Sequence, residues 1–254
     1  MKASLLLITL VLAGSSTPAQ PYAGKMKNEP RLMQLRVVGP PISRNGVPLS
    51  NALSEVGRYV DGGYVLFGIE LLLDRGKEPT VDLKLQSGAT LEEALRHVVQ
   101  QLPEYRFQVV GPNLVNVFPR KWQTDPRNPL NLKVSRFDVT DVPPANILSR
   151  PEEYVPELQA RLRQPDSKGY FGRGISSLGP RNITLHLKNV TVRQVLNAVS
   201  VASGSKSHAT HGPLGWVYRF DPNSGSPDRM HSWDFHFSTP PKWRQEHETS
   251  NRNK

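Results

Sequence analysis

The stretch VDLKLQSGATLEEALRHVV, residues 81–99, decides how this chain folds. Val81, Leu83 and Leu85 alternate with Asp82 and Lys84, the period of a strand with one buried face. Thr90 and Glu93 then stand at the Thr-x-x-Glu spacing of a capping box. In such a box the hydroxyl and the carboxylate satisfy backbone N–H groups that a first helical turn leaves unpaired. Leu91, Ala94, Leu95, Val98 and Leu102 mark one apolar helix face before Pro103. Tyr105, Phe107 and Val109 alternate again, and Gly111-Pro112-Asn113 is turn chemistry ahead of a last apolar run, Leu114 to Phe118. The unit reads strand, helix, hairpin.

A diverged copy returns between Ile183 and Phe220. Ile183, Leu185 and Leu187 alternate with Thr184 and His186, and Thr191 with Gln194 rebuilds the capping box. Thr90 and Thr191 are 101 residues apart, and the same offset links Leu91 to Val192, Leu95 to Leu196, Val98 to Val199, and Gly111-Pro112 to Gly212-Pro213. That period is far longer than a solenoid unit, so the expectation is two copies of a small α+β domain.

Working outward, Gln34–Val38 reads as an opening strand, and Leu49, Ala52, Leu53, Val56 and Val60 follow helical spacing up to Asp61-Gly62-Gly63. An apolar strand, Tyr64–Leu71, comes next. The first domain, residues 32–119, is thus strand, helix, strand, strand, helix and hairpin. Residues 120–130, with Trp122, two prolines and mixed charges, read as a linker. The second domain, 131–237, opens on the alternating Leu132, Val134, Phe137 and Val139. It then echoes the first helix at Val142–Leu148, starts a further helix at Pro151-Glu152-Glu153, and carries a glycine-rich insertion at 169–179. Trp233, Phe235 and Phe237 suggest an extra edge strand. Residues 238–254 are expected to be a disordered tail.

Residues 1–20 read as a secretory signal, with Lys2, the apolar run Leu5–Ala13 and the small residues Thr17-Pro18-Ala19. Export, most simply to a periplasm, follows as an expectation, and no later run has the ~20 apolar residues that would span a bilayer. The richest, Val65–Leu73, is short and carries Glu70. Without cysteine there are no disulfides, thiol nucleophiles or cysteine metal sites. Loss of Lys2 takes the net charge from +10 to +9, a balance that favours anionic partners in the envelope; nucleic acid is not expected there.

The motifs with catalytic or metal-binding spacing fall short. Ser203 and Lys206 match Ser-x-x-Lys, but the accompanying Ser-Asp-Asn and Lys-Thr-Gly elements are missing, and Ser203 ends a helix beside Gly204. His208 and His211, with His231 and His236 further on, lack the glutamate of a helical zinc motif. Glu92 and Glu93, and Glu152 and Glu153, sit at helix starts, where negative charge is favoured. No catalytic residue, metal or cofactor is assigned. The best contact candidates are Tyr170, Phe171 and Arg173 in the glycine-rich loop, because aromatic and arginine anchors dominate protein interfaces.

The two units resemble the short N-terminal domain shared by bacterial secretins and TonB-dependent receptors. The likeness rests on Val81–Leu85 with Ala89–Leu95, and on Ile183–Val192, and it covers the two repeat cores only. It implies a periplasmic domain that docks protein partners, among them secretion or TonB-linked machinery. No secretin pore, receptor plug or barrel accompanies it, so gating and uptake are not carried over. The expectation is a non-catalytic adaptor that binds an envelope protein. The alternatives are a metal-dependent hydrolase using the C-terminal histidines and a basic module holding an anionic envelope polymer.

Overall fold

The computed structural model describes residues 32–61, 65–162, 182–204, 214–223 and 231–237. Its elements, in order, are β1 (Ile42–Pro48), α1 (Leu49–Tyr59), β2 (Leu66–Leu72), β3 (Thr80–Leu85), α2 (Leu91–Gln100), β4 (Tyr105–Val109) and β5 (Leu114–Pro119). Two 3-10 turns follow, Arg120–Gln123 and Pro129–Asn131. Then come β6 (Lys133–Val142), α3 (Pro144–Ser149), α4 (Pro151–Tyr154), α5 (Pro156–Leu162), β7 (Ile183–Thr191), α6 (Val192–Gly204), β8 (Leu214–Phe220) and β9 (His231–Phe237). The fold is α+β.

Strand β2 lies at the centre of a five-stranded sheet of order β4-β5-β2-β8-β9. It pairs in parallel with β5 on one side, Leu66 opposite Leu114, and with β8 on the other, Gly68 opposite Trp216. Antiparallel β4 and β9 close the two edges. A strand flanked on both sides and covered on both faces has no solvent face, which explains why Leu66, Phe67, Ile69 and Leu71 of β2 are all buried and why Glu70 among them is buried too.

Alternation along the strands divides that sheet between two cores. On one face, Phe67, Ile69 and Leu71 of β2, Val115 and Val117 of β5 and Val217 of β8 pack with Leu53 and Val56 of α1, Leu95 and Val98 of α2, and Leu83 of β3. On the other, Leu72, Leu214, Trp216 and Tyr218 pack with Val195, Leu196 and Val199 of α6, Ile147 and Leu148 of α3, Leu158 of α5, and Val134 and Phe137 of β6. Each fully buried Leu, Val or Phe contributes about 1.5–3 kcal/mol relative to exposure. The stretches read from sequence as two domains therefore supply one core each, and their strands meet in one sheet.

Two antiparallel ribbons complete the layers, β1 with β3 and β6 with β7, each carrying an irregularity in its register. Residues 34–38, expected as the opening strand, form only isolated bridges, Arg36 with Thr90 and Val37 with Val60. The strand is β1 instead. Positive φ at Gly46 and the bulge between Arg44 and Val47 bend it onto β3, and neither is visible in an apolar pattern.

Both helices that follow the alternating strands start on reciprocal caps. Glu93 N–H donates to Thr90 Oγ1 (3.2 Å) while Thr90 N–H donates to Glu93 Oε2 (2.7 Å). Gln194 N–H donates to Thr191 Oγ1 (3.2 Å) and Thr191 N–H to Gln194 Oε1 (2.7 Å). Thr191 is at once the last residue of β7 and the cap of α6. After each helix the chain reaches a strand, β5 or β8, that runs parallel to β2.

Candidate binding site

The site begins with one carboxylate. Alternation in β2 turns Phe67, Ile69 and Leu71 to the first core, and so turns Glu70 to the second, where it is 0% exposed. A buried carboxylate is costly unless paired and hydrogen-bonded. Arg193, in the first turn of α6, donates from Nε to Glu70 Oε1 (2.6 Å) and from Nη2 to Oε2 (3.1 Å). Asn128 Nδ2 donates to Oε2 as well (2.9 Å), and Arg193 Nη1 donates to Asn131 Oδ1 (2.7 Å). Both oxygens of Glu70 are engaged, so the group acts as a structural anchor and not as a poised acid or base.

Residues 120–131 are the scaffold for this network. The stretch read as a linker winds into its two 3-10 turns, the second of which opens on Asn128, whose Oδ1 accepts from Leu130 N–H (3.0 Å). The carbonyl of Trp122 accepts from both Asn128 Nδ2 (3.1 Å) and Asn131 Nδ2 (3.0 Å). Trp122, Asn128 and Leu130 are buried. This is a packed segment whose side-chain amides replace the backbone ladder that it lacks.

The network separates two cavities. The first, of about 280 Å³, is lined by Leu72, Trp122, Asn128, Pro129, Tyr218, Phe220 and Pro222, with the Asp125 and Arg127 ion pair (2.8 Å) also in its wall. Its wall continues into an aromatic group: Trp122 and Phe220 have ring centroids 4.9 Å apart, Tyr218 and Trp233 4.4 Å, Phe220 and His231 5.2 Å. Tyr218 Oη and His231 Nδ1 share a hydrogen bond of 2.7 Å. Burial, and secondarily the positive charge of Arg161, push the His231 ring down to about 4, so the ring is neutral at neutral pH. Burial together with the charge of Glu70 holds the Tyr218 hydroxyl well above its ordinary value, which keeps it protonated.

The second cavity, of about 420 Å³, lies between β4, β5, the 3-10 turns and the start of α6. Side-chain amides dominate its lining, and no carboxylate is among the lining residues. Asn116 of β5 is 1% exposed and fits because its register partner is Gly68. A Cβ on Gly68 would fall 2.3 Å from Asn116 Oδ1 and 2.5 Å from the Trp216 ring. That Oδ1 has no hydrogen-bond partner.

Tyr170, Phe171 and Arg173 lie outside the described residues, as do Lys206, His208 and His211. Ser203 is buried and ties α6 to β8, its Oγ donating to Ser200 O (2.7 Å) and accepting from Leu214 N–H (3.0 Å). His231 joins the aromatic group, while Glu93 and Gln194 serve as caps. Among the described residues no group of three or more His, Cys, Asp or Glu could hold a metal ion, and no helix is long and apolar enough to cross a membrane. Sequence reading missed Arg193, Asn116, Asn128 and Asn131. Its one usable signal was Glu70, a lone carboxylate in an apolar strand, which demands a buried donor set somewhere else in the chain.

Compared with protein-family models, with curated proteins and with solved structures, the chain matches none.

Proposed function

We propose that this chain is an exported, non-catalytic binding module that docks a protein of the cell envelope along the β4 edge of its central sheet. The observation that carries the reading is that β4, among the described strands, pairs only with β5. A partner strand laid along β4 would gain backbone hydrogen bonds. Its alternate side chains would meet the half-buried Phe107 and Val109 on one face and Gln108, at the mouth of the polar cavity, on the other. The resemblance of the two capped units to the secretin and TonB short N-terminal domain points the same way and suggests secretion or TonB-linked machinery as the partner class. Tyr170, Phe171 and Arg173 are a second contact candidate on the same reading.

The experiment places a photo-crosslinking residue at Gln108 in one variant and at the exposed Lys188 of β7 in another, each exposed to an envelope fraction. A discrete protein adduct from position 108 alone, surviving the change from low to physiological salt, is the expected result. Equal labelling from both positions would overturn the edge-docking reading. So would capture that collapses with salt, since a dispersed positive charge on a polyanion weakens steeply on screening.

A further inference from the structure

We infer that the 420 Å³ polar cavity beside Arg193 is a binding site for an acidic monosaccharide, a hydroxyl-bearing ring with one carboxylate, taken free or as the end of a polymer. The volume falls within the range of small-ligand sites, about 300–1,000 Å³. Internal hydrogen bonds fix which polar atoms remain available. Asn197 spends its Oδ1 on Trp216 Nε1 (3.0 Å), which leaves Nδ2 as its free donor end. Gln194 spends its Oε1 on Thr191 N–H, which leaves Nε2. Gln123 spends its Nε2 on Gln108 Oε1 (3.1 Å), which leaves Gln123 Oε1 as an acceptor in the lining. Two oriented donors and one vacant acceptor match adjacent hydroxyl groups, each of which both donates and accepts.

Charge selects the acid. Arg193 is neutralised by Glu70 inside the wall, whereas Lys133, also lining the cavity, makes no ion pair among the described residues. With no lining carboxylate to oppose it, Lys133 leaves one uncompensated positive charge for the ligand's carboxylate. The start of the thirteen-residue α6 adds its dipole with the same sign. Val110 is the single apolar residue of the lining, so a lipid chain or an apolar peptide side chain gains less here than a polar ring does.

The test titrates the full chain with sodium glucuronate by calorimetry, alongside glucose, acetate and a uronate tetramer. Saturable glucuronate binding is expected, with glucose and acetate each weaker by at least about tenfold, since each lacks half of the recognised groups. Equal affinity for monomer and tetramer would assign the free sugar, and tighter tetramer binding a polymer end. Gln194→Glu keeps the acceptor for Thr191 N–H but replaces the free donor with a negative oxygen. This variant should melt like the parent and bind glucuronate at least about tenfold more weakly, with Lys133→Gln losing affinity in the same sense. Absence of saturable binding by both uronates overturns the site, as does binding undiminished in Gln194→Glu and Lys133→Gln. Either failure leaves the β4 docking reading standing, because the crosslinking outcome does not depend on the sugar.

Discussion

Arg193 closes on Glu70 through two hydrogen bonds of 2.6 and 3.1 Å, although the residues are 123 positions apart and come from the two stretches read from sequence as separate domains. The ion pair ties the first turn of α6 to the middle of β2. Similar ties recur along the seam: Arg219 Nε donates to Glu78 Oε1 (2.9 Å), and Gly76 N–H to Asp221 Oδ2 (2.6 Å). The two halves therefore meet through buried polar contacts as well as through the shared sheet.

Removing either partner should show what the pair is for. Glu70→Leu strands a buried guanidinium and Arg193→Met strands a buried carboxylate, each expected to cost about 3–5 kcal/mol, whereas the double variant should recover most of that loss. Urea unfolding of the three variants checks this. Single variants within about 1 kcal/mol of the parent would mean that water reaches the pair.

Gly68→Ala should be among the most damaging one-carbon additions in the protein. Its Cβ would meet Asn116 Oδ1 at 2.3 Å and the Trp216 ring at 2.5 Å, and β2 cannot retreat from strands on both sides. The expected loss is about 3 kcal/mol or more. Gly111→Ala, whose nearest contacts are at 3.2 Å, should lose well under half of that. Melting temperatures of the two variants provide the comparison.

The two caps should be alike in size and unlike in pH dependence. Thr90→Ala and Thr191→Ala are each expected to lose about 1 kcal/mol. The Thr90 backbone N–H, and then its hydroxyl, hold the Glu93 carboxyl below its usual value. The contribution of that carboxylate is present above the ordinary carboxylate pKa and is lost as pH falls through the lower folded one. Gln194 does not titrate. Unfolding at neutral and at acid pH should therefore show the effect of Glu93→Ala shrinking in acid while that of Gln194→Ala holds.

His231 should make the fold acid-sensitive over a defined window. Its ring titrates at about 4 when folded and at 6.5 when free, so below 6.5 the unfolded chain takes up a proton that the native state refuses. Stability is then lost as pH falls from 6.5 to about 4, by at most about 3 kcal/mol, and is level below that. The difference in unfolding free energy between the parent and His231→Gln, followed from pH 7 to pH 4, isolates this term. A difference that stays constant with pH would show the ring to be solvated.

Short-range physics controls the part of this fold that could be read from residue patterns. The alternation of Val81, Leu83 and Leu85, the apolar stripe of α2, the hairpin turn after Val109 and both Thr caps rest on interactions within a few residues, so the pattern alone located them. The central run was legible as a strand, Tyr64–Leu71 against the observed Leu66–Leu72, yet a strand buried on both faces has no period to name its neighbours. Only the tertiary structure placed it between β5 and β8, found Glu70 its arginine, buried Trp122 in a stretch that looked like a linker, and moved the opening strand to Ile42–Pro48. The polar cavity is tertiary for the same reason. Asn116, Lys133, Gln194 and Asn197 are ordinary polar residues in sequence, and they become a set only when β5, β6 and α6 are packed together. Contacts across many tens of residues are chosen by which buried surfaces and polar partners fit one another, and no local pattern records that choice.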